Sequence, residues 1–276
     1  MPQDNKGLLQ IQKNEKWQVM YETAIRDDGS LLFPERLTRE FLEEAKKGMG
    51  SMLFANQYLN EIFPTDDAKF KKEWFRYWKK LPDSILYNFA FIDPAISTED
   101  HADYTGIVVV SVDYQTNWYI RHASRQRLNP TQIVSKCFEL QQQFKLNCLG
   151  IEDIAYQKAL LYMLNEEMQR RQIILPAKGI NKGNKTTKEM HIMSLIPLFE
   201  WGRIWLTQGC DDFERELLQF PRASHDDIAD ACASLQQIVF YPTKQQENLN
   251  NVTNPHDPRY EQRIIRDLVA KANSEI

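Results

Sequence analysis

The chain has 276 residues, a net charge of −4 and a hydrophobic fraction of 42%. That length allows one large domain, or one domain with long extensions, and the apolar fraction is enough for a packed core. The acidic balance argues against a generic nucleic-acid coat protein, and with no run of about 18 apolar residues no membrane span is expected.

The first stretch, MPQDNKGLLQIQKNEKW, lacks the basic-then-apolar pattern of a signal peptide. Residues 17–25 alternate like a short strand. Thr38 caps a helix that runs to the glycines at 48 and 50, and a second helix follows until Pro64. Residues 1–85 therefore read as an accessory region, with a basic segment, KFKKEWFRYWKK, at 69–80.

From residue 86 the pattern changes. Three apolar, β-branched segments, 86–93, 105–113 and 117–126, read as an antiparallel meander with a turn at Gln115 and Thr116. A helix over 129–145 begins with Pro130 in its first turn. CLGIED (148–153) is the fourth predicted strand. A helix (155–171), a strand (172–178) and a basic loop come next. Residues 187–202 form a helix bent near Pro197, 203–206 a short strand, and 210–220 and 226–240 the last two helices. This order predicts an α/β fold: a mixed sheet, part antiparallel meander and part parallel strands, flanked by helices. The core domain spans 86–240. Residues 241–276 read as a flexible tail with a short helix near its end.

The four cysteines, Cys137, Cys148, Cys210 and Cys232, have no CxxC spacing and read as buried thiols rather than a zinc site. The chemistry points instead to acids. Asp93 ends the first strand of the meander, Glu152 and Asp153 end the fourth, and Asp226, Asp227 and Asp230 crowd the start of the last helix. In open α/β sheets functional groups gather at strand ends. Each acid also has a plainer reading. Asp93 before Pro94 can form a turn, and Ser224 with Asp227 fits a helix-capping pattern. Carboxylates converging in a dry cleft, however, repel one another unless cations neutralise them. An oxygen-only ligand set favours Mg²⁺ or Mn²⁺. Two such ions about 4 Å apart can hold a phosphodiester, activate water and stabilise the leaving oxygen.

The stretches FAFIDPAIS…DYTGIVVVSVD, LGIEDIAYQKALLYML, SLIPLFEWGRIWL and FPRASHDDIADACA occur in this order. Together they resemble the nuclease domain of the large terminase subunit of tailed bacteriophages, a member of the RNase H-like superfamily. Residues 31–64 resemble the segment that precedes it. The resemblance covers most of residues 20–240. It implies an endonuclease that cuts concatemeric viral DNA during packaging, in the cytoplasm of the infected bacterial host. The portal protein and the small terminase subunit are the implied partners. The metal acids of the family fall on Asp93, Glu152 and the Asp226–Asp227 pair, with Asp93, Glu152 and Asp227 as the catalytic set. Members of the family also carry a packaging ATPase. No phosphate-binding loop is present here, since GINKGNKT (179–186) has Asn184 where the second glycine is required. The chain is then a separate nuclease or the C-terminal part of a longer protein.

Double-stranded DNA would be held through its phosphates by Lys178, Lys182, Lys185 and Lys188, with Arg125 and Arg127. Phosphate contacts carry no sequence information, so cutting would be weakly specific. The alternative is a non-catalytic module that binds DNA or the portal, its acids serving only as caps and turns. Two finer expectations follow. Strand alternation lets only one of Glu152 and Asp153 share the site face, and Glu152 is favoured. On a helical wheel Asp227 borders the packing face of 226–240, whereas Asp226 and Asp230 lie nearly opposite it. Asp227 should therefore matter most, Asp226 next and Asp230 least.

Overall fold

The computed structural model describes residues 22–61, 68–94, 104–152, 157–181 and 187–244, together with 260, 263, 264 and 267. Seven strands form one sheet: β1 (Arg76–Tyr77), β2 (Tyr87–Asp93), β3 (Thr105–Val112), β4 (Trp118–Gln126), β5 (Cys148–Glu152), β6 (Ala177–Ile180) and β7 (Ile204–Leu206). Their spatial order is β1-β7-β4-β3-β2-β5-β6. The meander β2–β3–β4 is antiparallel, while β5 joins β2, β6 joins β5 and β7 joins β4 in parallel. This is the mixed sheet the sequence predicts.

The meander forms because its strands are built for burial on both faces. All eight residues of β3 are buried, and its run of valines suits a pleated central strand. The β3–β4 turn is closed by Asp113. Its carboxylate accepts hydrogen bonds from the backbone amides of Gln115 and Asn117 (2.9 Å each), from Asn117 Nδ2 (2.9 Å) and from the Tyr119 hydroxyl (3.1 Å).

The helices are α1 (Arg39–Tyr58), α2 (Pro130–Phe144), α3 (Gln157–Arg171), α4 (Lys188–Met193), α5 (Ile196–Glu200), α6 (Asp211–Gln219) and α7 (Asp227–Ser234). Local chemistry sets their ends. Asn129 and Gln132 form a reciprocal capping box at the start of α2. The expected bend near Pro197 is a break at Ser194–Leu195, with the proline in the first turn of α5. Alternation along the strands divides the core in two. Ala90, Ile92, Ile107, Val109, Leu149 and Ile151 face α2 and α3. Phe89, Phe91, Val108 and Val110 face the other layer, built by α4 to α7. No helix among the described residues is long and apolar enough to cross a membrane.

Four boundaries differ from expectation, the first being the last helix, expected over 226–240, which ends as α7 at Ser234 with a 3₁₀ turn over Leu235–Gln237. The segment set apart as accessory (1–85) contributes to the sheet: β1 pairs with β7, and Phe70 and Phe75 are buried in the core with Phe199. A two-residue edge strand inside a basic stretch leaves no periodic signal. The strand expected over 172–178 lies over 177–180, because it is the register with β5, Leu149 opposite Ala177, that fixes it. The two helices expected in the accessory region run together as α1, kinked at Gly50 (φ 80°). There the Ser51 amide donates to Glu200 Oε2 at 2.8 Å, docking the second half of α1 on α5. The strand expected at 17–25 falls largely outside the described residues, as does most of the tail. Tyr260, Arg263, Ile264 and Asp267 are helical, and Arg263 lies 3.7 Å from Asp267.

Candidate active site

The central strands bring the predicted acids to one end of the sheet. The parallel β2/β5 register reaches Ile92 opposite Ile151, so Asp93 and Glu152 follow side by side, about 4.8 Å apart along the backbone. Asp93 shares the face of Phe89 and Phe91, and Glu152 shares that of Gly150, where an added Cβ would run into the Phe91 ring. Both acids therefore lie on the α7 side. Asp153 lies outside the described residues.

Gly106 explains how α7 reaches them. It pairs with Asp93 across β2 and β3. A Cβ built on Gly106 would overlap the Asp227 carbonyl oxygen and come within 3.3 Å of Ala231 Cβ. Lacking that carbon, the first turn of α7 rests directly on β3, beside Asp93. A glycine inside a strand often marks such a close backbone approach.

Asp227 has 18% of its side chain exposed. Its carboxyl is pushed above the ordinary value, chiefly by burial. The Lys188 ammonium and His225 oppose that shift, and the charges of Asp226 and Asp93 add to it. His225 Nδ1 lies 3.9 Å from Asp227 Oδ2. Asp226 accepts a hydrogen bond from Lys188 Nζ at 2.6 Å. Burial draws the Lys188 ammonium downward, but the Asp226 bond and the charges of Asp226, Asp230 and Asp227 outweigh it and hold it above its usual value.

Asp230 is a correction. Its side chain is 8% exposed, 3.7 Å from His191 Nε2 and 4.0 Å from Lys188 Nζ. The wheel places it opposite the packing face, but α4 covers that side and every residue from Ile228 to Ser234 is buried. A helix packed on two sides has no solvent face for an acid to occupy.

The capping reading of Ser224 and Asp227 is also replaced. Asp226 is the N-cap residue and makes no side-chain cap bond. Glu216 of α6 fills that role: its Oε2 accepts from the amides of Ile228 (2.9 Å) and Ala229 (3.0 Å). Sequence reasoning passed over Glu216. The signal was its place with Phe213 and Leu217 on the buried stripe of α6. Burial pushes its carboxyl up to about 7, against the Ala229 amide and Arg125, which favour the ionised form.

The basic residues separate by position. Arg125 turns inward, donating to Glu216 Oε1 at 2.8 Å and lying 3.7 Å from Asp212. Arg127 is exposed and stacks its guanidinium 4.8 Å from the centre of the Tyr104 ring, which also meets His225 edge-on. Lys178 is exposed on the edge strand β6. Lys188 lies against the acids, and Lys182 and Lys185 fall outside the described residues.

The donor set suits a hard divalent cation: carboxylates only, half-buried, with Asp93 and Asp226 both electrostatically coupled to Asp227 and an ammonium already drawn in. Among the described residues no three acids, histidines or cysteines are close enough together to hold an ion. The acids thus form an open cluster that a cation would have to draw together. Bound there, divalent cations would supply Lewis acidity, lowering the pKa of water and neutralising charge on a phosphate.

The profile of the terminase RNaseH-like domain family matches residues 90–236, more than half of the chain. Among solved structures, the human cytomegalovirus terminase nuclease domain aligns over 62% of this chain and 93% of its own, at 15% identity and a TM-score of 0.46. A large terminase from a thermophilic bacteriophage, solved in complex with ADP, aligns over 73% of this chain at 10% identity and a TM-score of 0.53. The match takes in 52% of that protein, so the chain spans about half its length. The large terminase nuclease of the thermophilic phage G20c, solved with bound cobalt, aligns over 65% of this chain and 100% of its own, at 16% identity and a TM-score of 0.45. No curated protein matches the chain. At these identities the structural likeness speaks for the fold, an RNase H-like mixed sheet flanked by helices, and with the profile match over its core the chain belongs to the terminase RNaseH-like domain family.

Proposed function

We propose that the chain is a divalent-metal-dependent endodeoxyribonuclease of a viral DNA-packaging terminase, cutting concatemeric double-stranded DNA by phosphodiester hydrolysis. The observation that carries this reading is the convergence of Asp93, Glu152 and the first turn of α7 at one end of the sheet, on one face. Asp93, Glu152, Asp226 and Asp227 would hold Mg²⁺ or Mn²⁺, two ions in the full site, and Asp93, Glu152 and Asp227 would be the catalytic acids. Their oxygen-only donor set supports a hard divalent cation over a soft one. Lys188 would leave Asp226 for the substrate phosphates as cations enter, and Arg127, Lys178, Lys182 and Lys185 would hold the DNA backbone. Arg125, tied to Glu216, would support the site from behind. The portal protein and the small terminase subunit are the proposed partners, and the infected cell's cytoplasm the proposed setting.

Supercoiled plasmid tests the reading. Incubation with Mn²⁺ should give nicked and linear products without ATP, and excess EDTA should abolish them. Binding without nicking would instead support a non-catalytic packaging module. Robust nicking in EDTA, or strict dependence on ATP, would remove the metal-centred account.

A further inference from the structure

The helix that carries the acids is capped by a residue from elsewhere, and this bears on how the acids are presented. A residue at an N-cap position normally turns its side chain back to accept from the second or third amide of its own helix. Asp226 holds that position at α7, with φ −140° and ψ 16°, and does not do so. The two amides it would take, those of Ile228 and Ala229, are both bonded to Glu216 Oε2. Asp226 instead reaches Lys188.

Glu216 is well placed for the task. It is 2% exposed, on a helix anchored in the core by Phe213 and Leu217. Its second oxygen is held by Arg125, which comes from β4. Two elements of the scaffold thus fix one carboxylate under the first turn of α7. We infer that Glu216, oriented by Arg125, is a positioning residue of the candidate site: by capping α7 from outside it keeps the Asp226 carboxylate turned toward the cation and fixes the height of Asp227 above Asp93. The inference rests on the metal-centred reading above. Without Glu216 the buried amides would recruit the nearest acceptor, and Asp226 is already in the cap position. The acid would be drawn out of the site by its own helix.

Two measurements on the full chain test this. Amide hydrogen exchange at Ile228 and Ala229 reads the cap directly and needs no change at Glu216. Asp226→Ala should leave the protection of both amides as in the wild type, and its loss would show that Asp226 is the cap and overturn the inference. Mn²⁺ titration by calorimetry then reads the presentation of the acids. Glu216→Ala, checked for folding by circular dichroism, should bind Mn²⁺ about tenfold more weakly, whereas Glu216→Gln, which keeps an acceptor oxygen, should recover most of that loss. Equal Mn²⁺ affinity in a folded Glu216→Ala protein would reduce Glu216 to a structural residue. Failure of the wild type to bind Mn²⁺ would sink the metal-centred reading instead, while the exchange result still decides which residue caps the helix.

Discussion

Gly106→Ala adds one methyl group where the sheet and α7 touch. The backbone of Gly106 lies outside the left-handed region, so alanine is tolerated conformationally and the whole effect is steric. The new Cβ would overlap the Asp227 carbonyl oxygen and stand 2.8 Å from its carbonyl carbon. Ordinary carbon–carbon separation is about 3.5–4.0 Å. Relief therefore requires α7 to lift by roughly 1 Å, since both clashes are with backbone and no side chain can swing away. Overpacking of this kind costs about 1–3 kcal/mol, a fall in Tm on the order of 5 °C for a domain of this size. The functional cost is larger, because a displacement of about 1 Å at reacting groups can cost roughly 100-fold in rate. Thermal melts and Mn²⁺-dependent plasmid nicking, measured side by side, should show a folded protein, modestly less stable and nearly inactive. A Gly106→Ala protein that nicks at the wild-type rate would mean that the seating of α7 on β3 does not set the position of Asp227.

Further outcomes follow from the same geometry. Among alanine substitutions in α7, Asp227→Ala should damage nicking most and Asp226→Ala next, both with folding retained. Asp230→Ala should instead lower Tm, because it empties a buried position beside His191 and Lys188; an unchanged Tm would return Asp230 to the surface. The Glu216 carboxyl stands at about 7 in the folded protein against an ordinary 4.5. The folded state therefore keeps a proton that the unfolded chain has released, and stability falls as pH rises through that window. Glu216→Gln removes this dependence, so the Tm advantage of wild type over variant should be larger at pH 5 than at pH 8, and the opposite trend would refute the assignment. Replacing Lys178, Lys182 and Lys185 by alanine should weaken DNA binding and flatten its salt dependence, by about 0.9 in log–log slope for each phosphate no longer neutralised. An unchanged slope would make these lysines solvated surface.

The legible parts of this molecule were those with local signals. The meander could be read from its β-branched runs, the start of α2 from Pro130, and the strand-end position of Asp93 from the apolar segment before it. The meeting of Asp93 and Glu152 at one sheet end was legible for the same reason, since ordered acids at strand ends survive any uncertainty in register. What escaped depended on tertiary partners. β1 exists only because β7 pairs with it. Asp230 is buried because α4 covers the face that a helical wheel assigns to solvent. Glu216 is a cap supplied by α6 to α7, where any pattern along the chain sees only Ser224 and Asp227. Arg125 and Lys188 belonged by composition to basic segments, yet each is drawn to a carboxylate that lies far from it in sequence.

The most direct test of the account is the anomalous scattering of Mn²⁺ in crystals of the protein. The account predicts a peak within coordination distance of Asp93 and Asp227, with Glu152 in reach, Asp226 turned toward it and Lys188 moved away from Asp226. A saturated crystal with no peak between these acids, or with its manganese elsewhere on the chain, would contradict it.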